Sequence, residues 1–255
     1  EITDRENYLK EQSTEIEDTC STFSGTLPAF SLADVAFAVK ERDILNGVTF
    51  DILKGSRTVL LGENGCGKTT LLRLISRLEK PTRGVILQNI DDKFGQKSKQ
   101  SKKWYKKVGV VYQNPDYQLF MQTVEKEIKF GAKSDEYADE IAEKFGIKHL
   151  YARHPQSLSE GQKRRVSIAA VVATDPEVLI LDEPTVGQDY KGLCEMVEVL
   201  NKLHEEAHNT MITVTHDKRC AAALCDKSVW IKNGKTYKTG GKELVDEFFI
   251  QIGVN

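Results

Sequence analysis

Residues 62 to 70 read GENGCGKTT and fit the phosphate-binding pattern G-x-x-x-x-G-K-[ST] through Gly62, Gly67, Lys68 and Thr69. The pattern needs a strand before it and a helix after it. The apolar run TVLL (58 to 61) and the leucine-rich KTTLLRLISRLEK (68 to 80) supply both. Gly65 and Gly67 let the backbone curl, so the N–H groups of a loop running through Asn64, Cys66 and Thr70 can face phosphate oxygens, and the following helix start favours negative charge. Lys68 is expected to bridge the β- and γ-phosphates of a nucleotide. The Thr69 hydroxyl is expected to ligate Mg²⁺.

A second group of residues complements the first. VLILDEPT places Asp182 and Glu183 at the C-terminal end of a buried apolar strand, the edge at which open α/β sheets gather ligands. Asp182 can hold Mg²⁺ and Glu183 can polarise an attacking water. Gln113 closes VGVVYQ and His216 closes MITVTH in the same manner. Gln113 has the reach to contact metal and water, and His216 can donate to a γ-phosphate oxygen.

A third group raises a question. LSEGQ (158 to 162) puts Ser159, Glu160, Gly161 and Gln162 at the start of a basic amphipathic helix, a turn also suited to a phosphate. The chain thus holds two phosphate-binding turns about a hundred residues apart.

The elements that must position these groups follow from periodicity. FSLADVAFAV and GVTFDIL read as antiparallel strands; TVLL, GVILQ, KVGVVYQ, EVLILDEP, MITVTH and SVWIK as further strands; and residues 121 to 175 as mostly helical. Asn233-Gly234 predicts a hairpin turn into KTYK. The result is an α/β class, with a parallel core sheet and an antiparallel β part. Residues 1 to 28 are polar and acid-rich and read as a tail or linker. The first residue is Glu1, not Met, which is expected of a piece of something longer.

Composition bounds the rest. The chain has 255 residues, is 40% hydrophobic and 29% charged, and carries a net charge of −2, so bulk charge gives no reason to expect nucleic acid as a partner. Its cysteines, at 20, 66, 194, 220 and 225, are odd in number and include no Cys-x-x-Cys pair, which suits reduced thiols. The basic stretch KSKQSKKWYKK (97 to 107) reads as a solvated loop leading into a strand, and His204 and His208 as a solvated helix face rather than a metal site.

The order of the phosphate loop, Gln113, LSEGQ, LILDEP, VGQD and VTHD resembles the nucleotide-binding domain of ABC-type ATPases over roughly residues 29 to 240. VVYQNPDYQLFMQTVEKEIKFG and LSEGQKRRVSIAAVVATDPEVLILDEPT resemble, more narrowly, the ATPases of energy-coupling-factor importers for cobalt, nickel and vitamins. The resemblance implies a P-loop core with an antiparallel β subdomain and a helical insert at about 114 to 165, within a domain spanning 29 to 255. It implies ATP hydrolysis with Mg²⁺ bound through Thr69, Gln113 and Asp182, and with Glu183, His216 and Gln113 in catalytic roles. It also implies a peripheral position on the cytoplasmic face of the cell membrane, beside membrane-embedded transporter subunits. Two such domains pair head to tail, as a homodimer or with a sister ATPase. Ser159, Glu160, Gly161 and Gln162 then act on the partner's nucleotide, with Asp189 in the adjoining D-loop.

Three positions depart from the family pattern. Glu160 stands where Gly is usual, so its carboxylate and Cβ are expected to constrain the turn. Val39 stands where an aromatic residue usually stacks on adenine, and Gln188 replaces the usual Leu beside Asp189. Pro115, Tyr117, Leu119 and Phe120 either meet a membrane partner or pack the insert's own core. The rival readings are a soluble ABC ATPase acting in translation or DNA maintenance, one half of a tandem ABC ATPase, and a regulatory nucleotide-binding module without turnover.

Overall fold

The computed structural model describes residues 28–40, 42–90 and 102–253, so the tail expected over residues 1–27 and the first part of the lysine-rich stretch lie outside the described residues. Strand β1 (Pro28–Val39) begins at the last residue expected in that tail, and pairs antiparallel with both β2 (Arg42–Leu53) and β4 (Arg83–Gln88). The second sheet has the order β5 (Val108–Val111), β6 (Val178–Asp182), β7 (Thr210–Val214), β3 (Arg57–Leu61), β8 (Lys227–Lys232) and β9 (Lys235–Gly240). Its first five strands run parallel and β9 is antiparallel.

The burial of the strands explains their composition. Every residue of β6 (VLILD) and β7 (TMITV) is buried, as expected for parallel strands covered on both faces. Each large apolar side chain buried there stabilises the fold by roughly 1.5–3 kcal/mol. One core layer packs β6 and β7 against the helices Asp135–Lys144 and Glu160–Val172 through Leu179, Leu181, Met211, Ile141 and Val166. A second joins the two sheets through Phe30, Leu60, Leu71 and Ile180. Asn233 (φ 51°) and Gly234 (φ 70°) turn β8 into β9, the left-handed pair a two-residue hairpin needs.

The helices are α1 (Lys68–Ile75), α2 (Lys102–Lys107), α3 (Val124–Lys129), α4 (Asp135–Lys144), α5 (Glu160–Val172), α6 (Tyr190–Ala207), α7 (Lys218–Ala223) and α8 (Lys242–Gln251). Helix α1 stops five residues short of the predicted end. Arg77 adopts φ 59°, and the N–H of Leu78 closes back on the Arg73 carbonyl at 2.9 Å, a turn that ends a helix whatever the leucine spacing beyond it.

Two further expectations are corrected. Residues 102–107 form a helix, not a loop, because Trp104 is a core residue, 2% exposed, with the Arg77 guanidinium 4.7 Å from its ring. His204 is buried rather than solvated, its Nδ1 3.0 Å from the Asn209 carbonyl, while His208 ends α6 in the left-handed conformation. Among the described residues no cluster of His, Cys, Asp or Glu could hold a metal through three ligands.

Candidate active site

Strand β3 delivers the chain into the phosphate loop, where two glycines are required by contact as well as by conformation. A Cβ at Gly62 (φ 153°) would lie 2.5 Å from both Cys66 Sγ and the Ile231 carbonyl. One at Gly67 (φ 105°) would lie 2.5 Å from Leu45 Cδ2. Gly67 is the N-cap of α1, so the first N–H groups of the helix open toward the loop. Lys68 is buried, and its ammonium donates to the carbonyls of Gly62 (2.6 Å) and Glu63 (3.0 Å). Both acceptors are neutral carbonyls, so neither competes with an incoming anion as a counter-charge.

A cavity of about 400 Å³ lies over this loop. It brings together Asn64, Gly65, Gly67, Lys68, Thr69 and Thr70 from the loop with Gln113, Asp182, Glu183 and His216 from the ends of three other strands. Asp182 is the last residue of β6, Gln113 lies two residues beyond β5 and His216 two beyond β7. Cys66 lines an adjoining cavity against the β8–β9 hairpin rather than this one, and burial pushes its thiol up. Val39 is 50% exposed and does not line the nucleotide-sized cavity. The wall in its place is built by Arg42 and Ile44, two residues for which the sequence carries no motif.

The carboxylates differ in environment. Asp182 is 5% exposed, and its Oδ2 accepts from the Thr69 hydroxyl at 3.3 Å. Burial raises its pKa, opposed by the Thr69 bond and the charges of Arg164 and Lys68. Glu183 adopts φ 55°, which aims its side chain into the cavity from the end of the strand. Burial, with the Asp182 charge added, pushes its pKa up to about 7. The His216 backbone N–H donates to Glu183 Oε2 at 3.2 Å. The imidazole itself is held below its usual pKa by burial and by Lys68, which favours its neutral form. Thr69 and Asp182 converge as hard oxygen donors with Gln113 on the same cavity, a set that fits Mg²⁺.

Behind the cavity stands a cation hidden in the basic run KRR. Arg164 is 2% exposed and donates to the carbonyls of Tyr112 (2.6 Å) and Gln113, fixing the backbone that carries Gln113. Its neighbour Lys163 reaches Asp116 Oδ1 at 2.9 Å. A basic run on a helix reads as a solvated face, so nothing in the sequence separates these two from Arg165 next to them.

The LSEGQ turn does not reach this cavity. Ser159 caps α5, its hydroxyl accepting from the Gln162 N–H (3.3 Å) while the Gln162 side chain accepts from the Ser159 N–H (3.1 Å). Ser159, Gly161 and Gln162 open with Gly187, Gln188 and Asp189 into a separate cavity of about 410 Å³. The two cavities share no lining residue. Glu160 is the first residue of α5 in ordinary helical backbone, so its Cβ does not strain the turn, contrary to the sequence expectation.

A larger groove of about 700 Å³ runs between β5, α3 and α5. Leu119, Phe120, Phe130 and Val171 line it, and the Phe120 and Phe130 rings meet edge to face at 5.3 Å. Buried Glu127 accepts from the N–H groups of Phe120 (2.9 Å) and Met121 (2.7 Å), holding the groove's edge. Of the four contact candidates here, Pro115 and Leu119 pack inside, whereas Tyr117 and Phe120 are 80% and 66% exposed. No helix among the described residues is long and apolar enough to cross a membrane.

Comparison with known proteins agrees with this geometry. The profile of a family described as "ABC transporter" matches residues 45–186. The chain is 40% identical over 221 residues to the energy-coupling factor transporter ATP-binding protein EcfA2 of Enterococcus faecalis, covering 80% of this chain and 74% of that one. Its counterpart in Bacillus subtilis is 40% identical over 210 residues, covering 78% and 76%. Among solved structures, cbiO1 from Clostridium perfringens, part of the ABC transporter complex cbiONQ, superposes with a TM-score of 0.73 at 31% identity, covering 86% of this chain and 91% of that one. A dimeric ATP-binding cassette in a post-hydrolysis state bound to ADP and Pi superposes at 0.72 with 26% identity, covering 84% and 98%.

Proposed function

The chain belongs to the ABC transporter ATP-binding family, among its energy-coupling factor members, and from that premise we propose that it hydrolyses MgATP in a pair of ATPase domains to drive a membrane importer of a metal ion or vitamin, at the cytoplasmic face of the membrane. The observation that carries the two-domain reading is the separation of the two phosphate-binding turns into cavities with no residue in common. One chain supplies half of each site, and a head-to-tail partner supplies the other half.

Lys68 exchanges its two loop carbonyls for phosphate oxygens. Thr69, Asp182 and Gln113 hold Mg²⁺, which offsets phosphate charge when bound. Glu183 accepts the proton of the attacking water as its oxygen bonds to the γ-phosphorus and the bond to ADP breaks. His216 donates to the γ-phosphate. The partner's Ser159 and Gly161 complete the far side, so loss of the γ-phosphate loosens the pair. The groove edged by Phe120 and Phe130, with Tyr117 nearby, offers the membrane subunits an apolar seat on the helical insert.

The test is assembly driven by ATP. Glu183→Gln slows hydrolysis while leaving phosphate contacts in place, so the paired ATPase domains are expected to associate with ATP and not with ADP. Adding Ser159→Arg should abolish that association. Light scattering after size-exclusion chromatography reads both, with the sister ATPase of the same transporter included. Pairing that persists in the double variant would remove LSEGQ from the interface.

A further inference from the structure

Gln188 joins two segments that sequence motifs treat separately. Its Nε2 donates to the Gly161 carbonyl at 2.8 Å, while its Oε1 accepts from Arg165 Nε at 3.4 Å. Arg165 is anchored in turn on Glu195 at 2.7 Å. The carboxamide is therefore oriented from both ends, its nitrogen toward the LSEGQ turn and its oxygen toward the guanidinium. The backbones beneath are in contact. A Cβ on Gly161 would lie 2.9 Å from the Gly187 carbonyl, and one on Gly187 (φ 79°) 3.3 Å from Glu160 Cβ. Asp189 follows at once, its Oδ1 capping α6 through the Gly192 N–H at 2.7 Å.

We propose that Gln188 is a positioning residue that clamps the LSEGQ turn to the segment carrying Asp189, so that Ser159, Gly161 and Asp189 meet the partner's nucleotide as one rigid lip. The proposal rests on the two-domain reading above. A leucine at position 188 could fill the same space, but it has no N–H to give the Gly161 carbonyl. That carbonyl belongs to the first turn of α5, so the bond fixes the direction in which the turn's N–H groups point across the interface. Without it the lip has two independently moving halves, and closing on the partner's phosphate must order both. No residue of the clamp lines the chain's own phosphate-loop cavity, so its effect falls on closure rather than on first capture of ATP.

The experiment compares Gln188→Met and Gln188→Glu in the intact transporter. Methionine keeps length, stays neutral and loses both hydrogen bonds; glutamate keeps the acceptor for Arg165, loses the donor to Gly161 and adds a negative charge, so an effect shared by both variants is the one due to the lost donor. Both are expected to raise the ATP concentration for half-maximal hydrolysis by about threefold to tenfold, the effect of the Gly161 hydrogen bond that both lose, with kcat at saturating ATP little changed. ATP affinity of the chain alone, measured by calorimetry, should match the parent, while its melting temperature falls by no more than a few degrees, about what one hydrogen bond is worth in a chain of this size. An unchanged half-maximal concentration in both variants overturns the clamp, and so does an equal loss of affinity in the chain alone. Ser159→Arg in the same assembly separates this from the wider reading. If it stops hydrolysis while the Gln188 variants are silent, the turn acts across the interface and the clamp is wrong. If it too is silent, the two-domain reading fails and the clamp with it.

Discussion

His216 meets Glu183 twice: its backbone N–H donates to Oε2 at 3.2 Å, and its Nε2 lies 3.5 Å from Oε1. The first contact holds the carboxylate in place. The second sets the imidazole beside the carboxylate proposed to take the proton of water. Burial pushes Glu183 up to about 7, and the downward shift of His216 favours the imidazole form that carries no positive charge.

The pH dependence of turnover follows. A base must be deprotonated, so kcat/KM should rise with pH along an acid limb centred near the free-enzyme value of about 7. Because His216 is held below its ordinary range, it contributes no second inflection above that limb. Steady-state ATPase profiles check this. A flat profile from about pH 6 to about pH 8 would remove Glu183 as the base.

The same shift acts on stability. The folded-state pKa lies above the ordinary value of 4.5, so the folded chain holds this proton more tightly than the unfolded one. The stability due to it is fully present below that ordinary value and is lost as pH rises through about 7. Glu183→Gln cannot lose it. The variant should therefore gain on the parent by up to roughly 3 kcal/mol at alkaline pH and by little in acid, read from denaturant melts at both ends.

Arg164 gives a prediction about position rather than charge. It holds the Tyr112 and Gln113 carbonyls from within α5, about one and a half turns from Ser159. Arg164→Lys keeps the cation but cannot span two carbonyls with a rigid fork. Turnover should fall by about tenfold or more through misplacement of Gln113, while ATP affinity of the chain alone changes far less. Equal losses in both would make Arg164 a general structural support instead.

What the sequence discloses and what it hides divide along physical lines. Continuous apolar runs such as VLILD announce strands covered on both faces, and Asn233-Gly234 announces a hairpin, because each is a local requirement. The phosphate loop is legible for the same reason: Gly62 answers to the close Ile231 carbonyl and Gly67 to a left-handed backbone (φ 105°). Arg164, Trp104 and His204 are not legible. Each sits in a polar stretch, and only the packing of distant elements makes it interior. The wall of the nucleotide cavity is hidden too. Val39 is the position that the family resemblance offers for adenine, whereas Arg42 and Ile44, at the start of β2, line the cavity.

That wall can be tested directly. Val39→Ala should leave ATP affinity unchanged, since the side chain does not line the cavity. Ile44→Ala removes apolar surface from the cavity and should weaken ATP binding several-fold, about what the loss of one or two buried methylenes costs. Calorimetry with ATP and with GTP reads both, and a larger loss in Val39→Ala would return the base to the end of β1.

Glu160 occupies the first turn of α5, 67% exposed on its side chain, with Oε1 3.4 Å from Lys163 Nζ. A carboxylate at a helix start is favourable to the helix by about 0.3–1 kcal/mol, and its pairing with Lys163 turns it along the helix. The same charge stands beside a turn meant for a partner's phosphate, where it opposes the anion. Glycine at this position removes that opposition and costs the helix about 1 kcal/mol, a cost the Ser159–Gln162 capping box and the Gln188 bond help to contain. Lys163 keeps its shorter contact with Asp116 and stays in place. Glu160→Gly should therefore leave turnover of the assembled transporter level or raise it, with a melting temperature a few degrees lower, about what 1 kcal/mol does in a chain of this size. A strong loss of turnover with an unchanged melting temperature would show that the carboxylate itself contributes across the interface.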